Sequence, residues 1–99
     1  MIKHIVLFQL KEFPSKEAKE LKLKEIKSKL ENLINLVPTL KKIEVELNCN
    51  PQEAYDIYLY TEFENMEDLE AYAIHPEHVA VGKIIREVLE KRACVDACI

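Results

Sequence analysis

The sequence predicts an α+β fold in which helices pack on one face of an antiparallel sheet. First, four segments rich in β-branched and aromatic residues alternate with helical segments in the order β-α-β-β-α-α-β. Second, the longest helical segment places its apolar residues on one side only, close to the helical period. Third, a chain of 99 residues with 48% apolar and 32% charged residues is typical of one globular domain, which we place at residues 1–99.

Charge and cysteine content exclude several classes of function. The net charge is −4, whereas a nucleic-acid surface needs an excess of Lys and Arg, so we expect no nucleic-acid partner. The apolar run at residues 5–8 is too short for a signal peptide or a membrane span, which predicts a cytoplasmic protein without membrane contact. Cys94 and Cys98 would lie about 13 Å apart on one strand, beyond disulfide reach. With no CxxC pair and no carboxylate or histidine at zinc-like spacing to the cysteines, we expect free thiols and no structural metal site.

The first strand is predicted at residues 2–10 and has two apolar faces. Ser15 is expected to cap the helix that follows, which runs to about Leu36. One face of the strand carries His4, Val6, Phe8 and Leu10, and the other carries Ile5 and Leu7. The apolar stripe of the helix comprises Ala18, Leu21, Ile26, Leu30, Leu33, Ile34 and Val37.

Two further strands are predicted in the middle of the chain. Residues 40–49 alternate between apolar and polar side chains, as in a strand with one solvated face. A loop at residues 50–53 leads to a strand at residues 55–63, both of whose faces are covered. One face carries Tyr55, Ile57, Leu59 and Phe63, and the other carries Tyr58 and Tyr60.

A proline divides the second helical region. Asn65 is followed three residues later by an acidic residue, the pattern of a capping box, so a short helix is expected to begin there. Pro76 removes a backbone donor and ends this helix at His75. The helix that Pro76 opens is expected to end near Lys91, and residues 93–99 form the last strand.

Tyr72, His75 and His78 lie around this break and are the candidate reactive side chains. His78 falls in the first turn of the second helix, where the helix dipole favours a neutral imidazole. A neutral histidine facing a tyrosine can act as an acid/base pair, and the alternative is a partly exposed histidine without a role. His75 is expected to cap or pack rather than react. Gly82 costs its helix about 1 kcal/mol relative to alanine, for which close packing is the expected reason and room for a ligand the alternative.

The chain resembles the Dabb family, the stress-responsive α/β-barrel domain proteins, over nearly its whole length. The resemblance rests on the opening residues 2–8, on residues 55–63 followed by a short helix, on the motif Tyr72-x-x-His75-Pro76-x-His78, and on the closing residues 92–96. It implies a ferredoxin-like fold with strand order 4-1-3-2 and a dimeric α/β barrel made of two sheets packed face to face.

The same resemblance implies a site. In the plant polyketide-cyclase branch, the positions of Tyr72 and His78 hold catalytic acid/base partners. The implied strand order makes the first and last strands neighbours, so His4 and Asp96 can meet across the ladder. Their pairing is either a satisfied buried pair or a carboxylate that orients a histidine in the pocket. The residues predicted to form the pocket are His4, Val6, Phe8, Leu30, Tyr72, His75, His78 and Asp96.

Two functions from different classes remain open. The first is a cyclase- or isomerase-like enzyme that needs no cofactor and acts on a small hydrophobic or aromatic ligand. The second is a non-catalytic dimeric binding or stress-related domain, whose pocket is filled by its own side chains. A monooxygenase-type relative of the same architecture is a third option. An open cavity on which Tyr72 and His78 converge favours the enzyme, and a packed interior favours the binding domain.

A homodimer is predicted from the strand faces. Helices cover only one face of the sheet, yet the other face is also apolar and would leave a large exposed patch on a monomer. A twofold partner that presents the same face would bury it. The residues expected on this open face are Ile5, Leu7, Tyr58, Tyr60, Val95 and Ile99.

Overall fold

The computed structural model describes all residues 1–99 and contains the predicted elements in the predicted order. No helix combines the length and the apolar character that a membrane span requires. The strands are β1 (Ile2–Leu10), β2 (Lys42–Leu47), β3 (Ile57–Phe63) and β4 (Leu89–Cys98). The helices are α1 (Lys16–Glu31), α2 (Met66–Ile74) and α3 (Pro76–Val88), and a 3-10 helix at Asn32–Asn35 extends α1.

The strands form one antiparallel sheet in the order β2-β3-β1-β4, which confirms the ferredoxin-like topology. The apolar strand β1 lies inside the sheet, between β3 and β4. The register places His4 opposite Asp96 and Val6 opposite Cys94. Directly opposed residues of antiparallel strands share a face, so these four side chains project from the same side of the sheet.

The core lies between that side of the sheet and the helices. Alternate strand residues point into it, as the pleat requires. Two predicted caps hold the helices in place: the Ser15 side chain accepts from the Ala18 N–H, and the Asn65 side chain accepts from the Asp68 N–H. The most deeply buried core side chains are Val6, Ile26, Leu30, Leu33, Val45, Ile57, Phe63 and Tyr72.

Two predictions for the first helix were wrong. The α-helix ends at Glu31 rather than Leu36, because Asn32–Asn35 tighten into a 3-10 turn that satisfies the last carbonyl groups. Leu21, which we placed in the apolar stripe, is 70% exposed. It lies about 140° around the helix from Ile26, whereas Leu23 lies about 60° away and packs against the core.

Strand boundaries also differ from the predicted ones. Helix α3 ends at Val88 rather than near Lys91, because the Lys11 N–H binds the Val88 carbonyl and the next residue already pairs with β1. Strand β4 therefore begins at Leu89 and carries Lys91. Strands β2 and β3 are shorter than predicted at the loop between them, where Asp56 accepts a hydrogen bond from the Leu10 N–H.

Candidate active site

A cavity of about 270 Å³ lies between the helix-facing side of the sheet and helix α3. More than half of its wall is apolar, and the polar part consists of histidine and arginine side chains. Its wall consists of His4, Val6, Phe8, Leu30, Leu59, His78, Val81, Gly82, Ile85, Arg86, Leu89 and Arg92. The cavity therefore includes five of the eight predicted pocket residues and excludes Tyr72, His75 and Asp96.

The helix junction positions His78 on this wall. His75 has extended backbone angles and caps α3, since its Nδ1 accepts a hydrogen bond from the Glu77 N–H at 3.1 Å. Pro76 occupies the first helical position, where its missing N–H costs little. His75 thus caps the start of the helix, and it is not among the residues that line the cavity.

The His78 ring has a defined hydrogen-bonding arrangement. Its Nδ1 lies 3.0 Å from the Ala73 carbonyl oxygen, and a carbonyl only accepts, so Nδ1 carries the proton. Burial lowers the pKa of His78; the Ala73 hydrogen bond opposes this shift, and the nearby charges of His4, Arg92 and Arg86 add to it. The ring is therefore neutral near pH 7, with Nε2 as a free acceptor.

Tyr72 packs behind His78. The two ring centroids are 4.3 Å apart, and the Phe63 ring lies 5.0 Å from Tyr72 on another side. Only 1% of Tyr72 is exposed, and its hydroxyl has no hydrogen-bond partner. Burial raises the pKa of Tyr72, so the phenol stays protonated and can only give, rather than take, a proton at neutral pH. The Tyr72 and His78 rings are in contact, but only His78 is among the residues that line the cavity.

His4 and Asp96 meet across β1 and β4. The His4 Nδ1 lies 2.5 Å from an Asp96 carboxylate oxygen, and the Asp96 side chain is 38% exposed. Asp96 therefore contacts a cavity-lining histidine and does not itself line the cavity. This arrangement matches the orienting carboxylate more closely than the fully buried pair.

The Cys94 thiol joins this pair, which spacing along the sequence did not predict. Its Sγ lies 3.6 Å from the His4 Nδ1 and 3.9 Å from the Asp96 carboxylate. All three donor atoms lie within 4.8 Å of one another, so they are the side chains with which the chain could hold a metal ion. Sequence spacing missed them because His4 and Cys94 are 90 residues apart and meet only through the β1–β4 pairing.

Gly82 lines the cavity, and a Cβ built at this position meets nothing within 4 Å. The expected reason for this glycine, close helix packing, was therefore wrong, and the open space at Gly82 leaves the alternative, room for a ligand, as a prediction. The two arginines of the wall were also missed. The other 12 of the 14 Lys and Arg residues are lysines, so the composition of the chain was the one sequence feature that could have pointed to these two arginines.

The fold and this site define a class of protein: a ferredoxin-like α+β domain with one apolar cavity flanked by histidines. The chain belongs to the Stress responsive A/B Barrel Domain family, Dabb, which matches residues 2–99. A dimeric protein with a ferredoxin-like fold from Bacteroides fragilis shares 48% identity and superposes with a TM-score of 0.91; the match covers 97% of this chain and 93% of that one.

Two relatives are enzymes. Olivetolic acid cyclase from Cannabis sativa is 29% identical over 98 residues, which cover 96% of this chain and 93% of the cyclase. A hydroxynitrile lyase from Passiflora edulis has a TM-score of 0.82 at 18% identity, with 99% of this chain and 92% of the lyase covered. The second similarity shows the shared fold alone, whereas the first supports the resemblance to the polyketide-cyclase branch.

Proposed function

We propose that this protein is a small-molecule enzyme in which His78 acts as a general base toward a ligand in the cavity. The observation that carries the proposal is the free Nε2 of a neutral His78 on the wall of an apolar cavity. A general base works best when its pKa lies near or below the working pH and its acceptor atom faces the substrate. Relatedness to a cyclase supports the same reading.

The chemistry that fits these groups is proton abstraction next to a carbonyl. His78 Nε2 takes the proton from the α-carbon, and the electron pair of the broken C–H bond moves to the carbonyl oxygen as an enolate. In a cyclase this carbon then attacks a second carbonyl carbon, the π electron pair of that carbonyl moves to its oxygen, and this oxygen takes the proton from His78. In an isomerase His78 returns the proton to another carbon of the ligand. Neither route consumes an oxidant or a cofactor.

Tyr72 supplies the acid in this proposal. Its protonated, unpartnered hydroxyl donates a hydrogen bond to the oxygen on which negative charge develops. Because Tyr72 packs against the His78 ring and does not line the cavity, it reaches that oxygen only when ligand binding shifts the His78 ring. A buried hydroxyl without a hydrogen-bond partner costs stability in the free protein, and a function in hydrogen bonding to a ligand would explain why Tyr72 has one.

The second candidate is a non-catalytic binding domain, and one observation favours it. The Tyr72 hydroxyl is sealed from the cavity in the free protein, so a ligand can occupy the cavity without meeting an acid. In that case His78 binds the ligand through Nε2 but transfers no proton.

A thermal-shift screen against aromatic and polyketide-like acids would identify ligands, because binding to the folded state raises Tm. With a turned-over compound in hand, His78→Ala should lower turnover by about 10² to 10⁴, the usual effect of removing a general base. Glu77→Ala, an exposed neighbour in the same helical turn, is the matched control and should retain activity. Full activity of His78→Ala would remove the enzyme proposal and leave the binding domain.

We also propose that the protein is a cytoplasmic homodimer formed through the open face of the sheet. On this face Val95 is 58% and Ile99 66% exposed, and both are large and apolar. Solved relatives of the same fold are dimeric. The three cysteines are free, which suits a reducing compartment.

A further inference from the structure

Both arginines of the chain lie on the wall of one cavity, although the chain places lysine at every other basic position. Arg92 is opposite Phe8 in the β1–β4 register and therefore projects toward the helices. Arg86 lies four residues after Gly82 on α3, one helical turn away, so both share the cavity-facing side. Two arginine side chains from different elements thus line one cavity.

Neither arginine has an anionic partner within the protein. Five ion pairs occur in the chain, four of them formed by lysines and one by His4, and none involves Arg86 or Arg92. A cation in the last turn of α3 would satisfy the helix dipole, but a lysine would serve that purpose equally well. The guanidinium differs from the lysine ammonium in presenting a planar fork of donors, which matches the two oxygens of a carboxylate.

We propose that the cavity binds a ligand with an apolar body and a carboxylate, and that Arg86 and Arg92 hold the carboxylate. The apolar wall from Val6, Leu30 and Ile85 accommodates the body. A singly charged carboxylate fits better than a phosphate dianion, because the Asp96 carboxylate lies just outside the cavity, paired with the wall residue His4, and repels additional negative charge. This inference rests on the proposed function, since it names the ligand class of the same cavity, but it concerns binding and needs no catalysis.

The test compares para-butylbenzoate with para-butylbenzamide, which has nearly the same shape and no charge. Isothermal titration calorimetry on the full chain gives both affinities. We expect the acid to bind at least about tenfold more tightly than the amide, since hydrogen bonds to a charged group are worth more than neutral ones. The arylphosphate with the same butyl group should bind more weakly than the acid.

The variants Arg86→Gln and Arg92→Gln should each remove most of the preference for the acid and leave the amide affinity nearly unchanged. Arg→Lys at the same positions keeps the charge, loses the fork and should retain only part of the preference. Lys83→Gln on the exposed side of α3 loses the same charge and is the matched control, which should keep the full preference. Both arginines are exposed, so circular dichroism and Tm should show that the fold is retained.

The outcomes separate this inference from the proposed function. Equal affinity for acid and amide, or an equal loss of preference in Lys83→Gln, would overturn the role of the arginines while leaving His78 untouched. Tighter binding of the arylphosphate than of the acid would overturn the carboxylate assignment. If neither the acid nor the amide binds the wild-type protein, the inference about the ligand class fails, whereas the proposed function is decided separately by the turnover of His78→Ala.

Discussion

Replacing Tyr72 with phenylalanine should stabilise the fold, although tyrosine is almost fully buried at this position. Only 1% of Tyr72 is exposed, and its hydroxyl has no hydrogen-bond partner among the protein atoms, so folding removes the hydroxyl from bulk water without a compensating protein hydrogen bond. An uncompensated buried hydroxyl costs about 1 to 3 kcal/mol. Tyr72→Phe keeps the ring packed between Phe63 and His78 and removes that cost. We expect the free energy of unfolding to rise by about 1 kcal/mol, or Tm by about 4 to 8 °C.

Urea denaturation at neutral pH measures this change, and calorimetry gives Tm independently. The matched control is Tyr55→Phe, because Tyr55 is partly exposed and its hydroxyl is not among the buried unpaired atoms; its stability should change by less than about 0.5 kcal/mol. A hydrogen-bonded buried tyrosine would instead lose about 1 kcal/mol on the same substitution. A loss of that size in Tyr72→Phe would refute the reasoning, because it would mean that the hydroxyl has a partner.

Substitutions at Gly82, Leu7 and His78 test the cavity, the open face of the sheet and the lowered pKa, respectively. Gly82→Ala should raise the free energy of unfolding, measured in urea, by about 1 kcal/mol, because the added Cβ meets no atom within 4 Å. The same Cβ fills cavity space and should weaken the binding of para-butylbenzoate, and unchanged binding would show that the ligand lies elsewhere. Leu7→Arg introduces a charge on the open face and should give a monomer or an aggregate in sedimentation, and wild-type protein that sediments as a monomer at micromolar concentration would contradict the dimer. Because burial lowers the pKa of His78 in the folded state, the unfolded chain takes up a proton at this residue first as the pH falls below 6.5. The free energy of unfolding should therefore decrease with pH in this range, and it should decrease less steeply in His78→Gln. Parallel curves of unfolding free energy against pH for the two proteins would contradict the lowered pKa.

Local sequence signals predicted the elements well where the physics is local. Ser15, Asn65 and Pro76 each fix a helix start through a hydrogen bond or a missing donor within a few residues, and the structure has each start as predicted. The stripe of α1 was less reliable, because Leu21 is apolar yet faces solvent. Which apolar residues a helix buries depends on the sheet beneath it, which the helix sequence alone does not contain.

The site was predictable in part. The spacing of Tyr72 and His78 around a proline placed two rings in contact, and the β1–β4 pairing brought His4 to Asp96 as the resemblance implied. The wall residues from α3 other than His78 could not be predicted, because they depend on the angle at which that helix crosses the sheet. Arg86 and Arg92 in particular are separated by the end of a helix and the start of a strand.

The proposed role of His78 as a general base can be tested by measuring the protonation of its ring. This measurement requires no knowledge of the substrate. Imidazole nitrogen NMR distinguishes the two neutral tautomers and follows the pKa as pH is varied. We expect the neutral His78 ring to carry its proton on Nδ1 and to leave Nε2 free, and we expect the pKa of His78 to lie below 6.5. A proton on Nε2 in the neutral ring would contradict the general-base role, because Nε2 could then not accept a proton from the ligand. A pKa above 6.5 would contradict the lowering of the His78 pKa by burial.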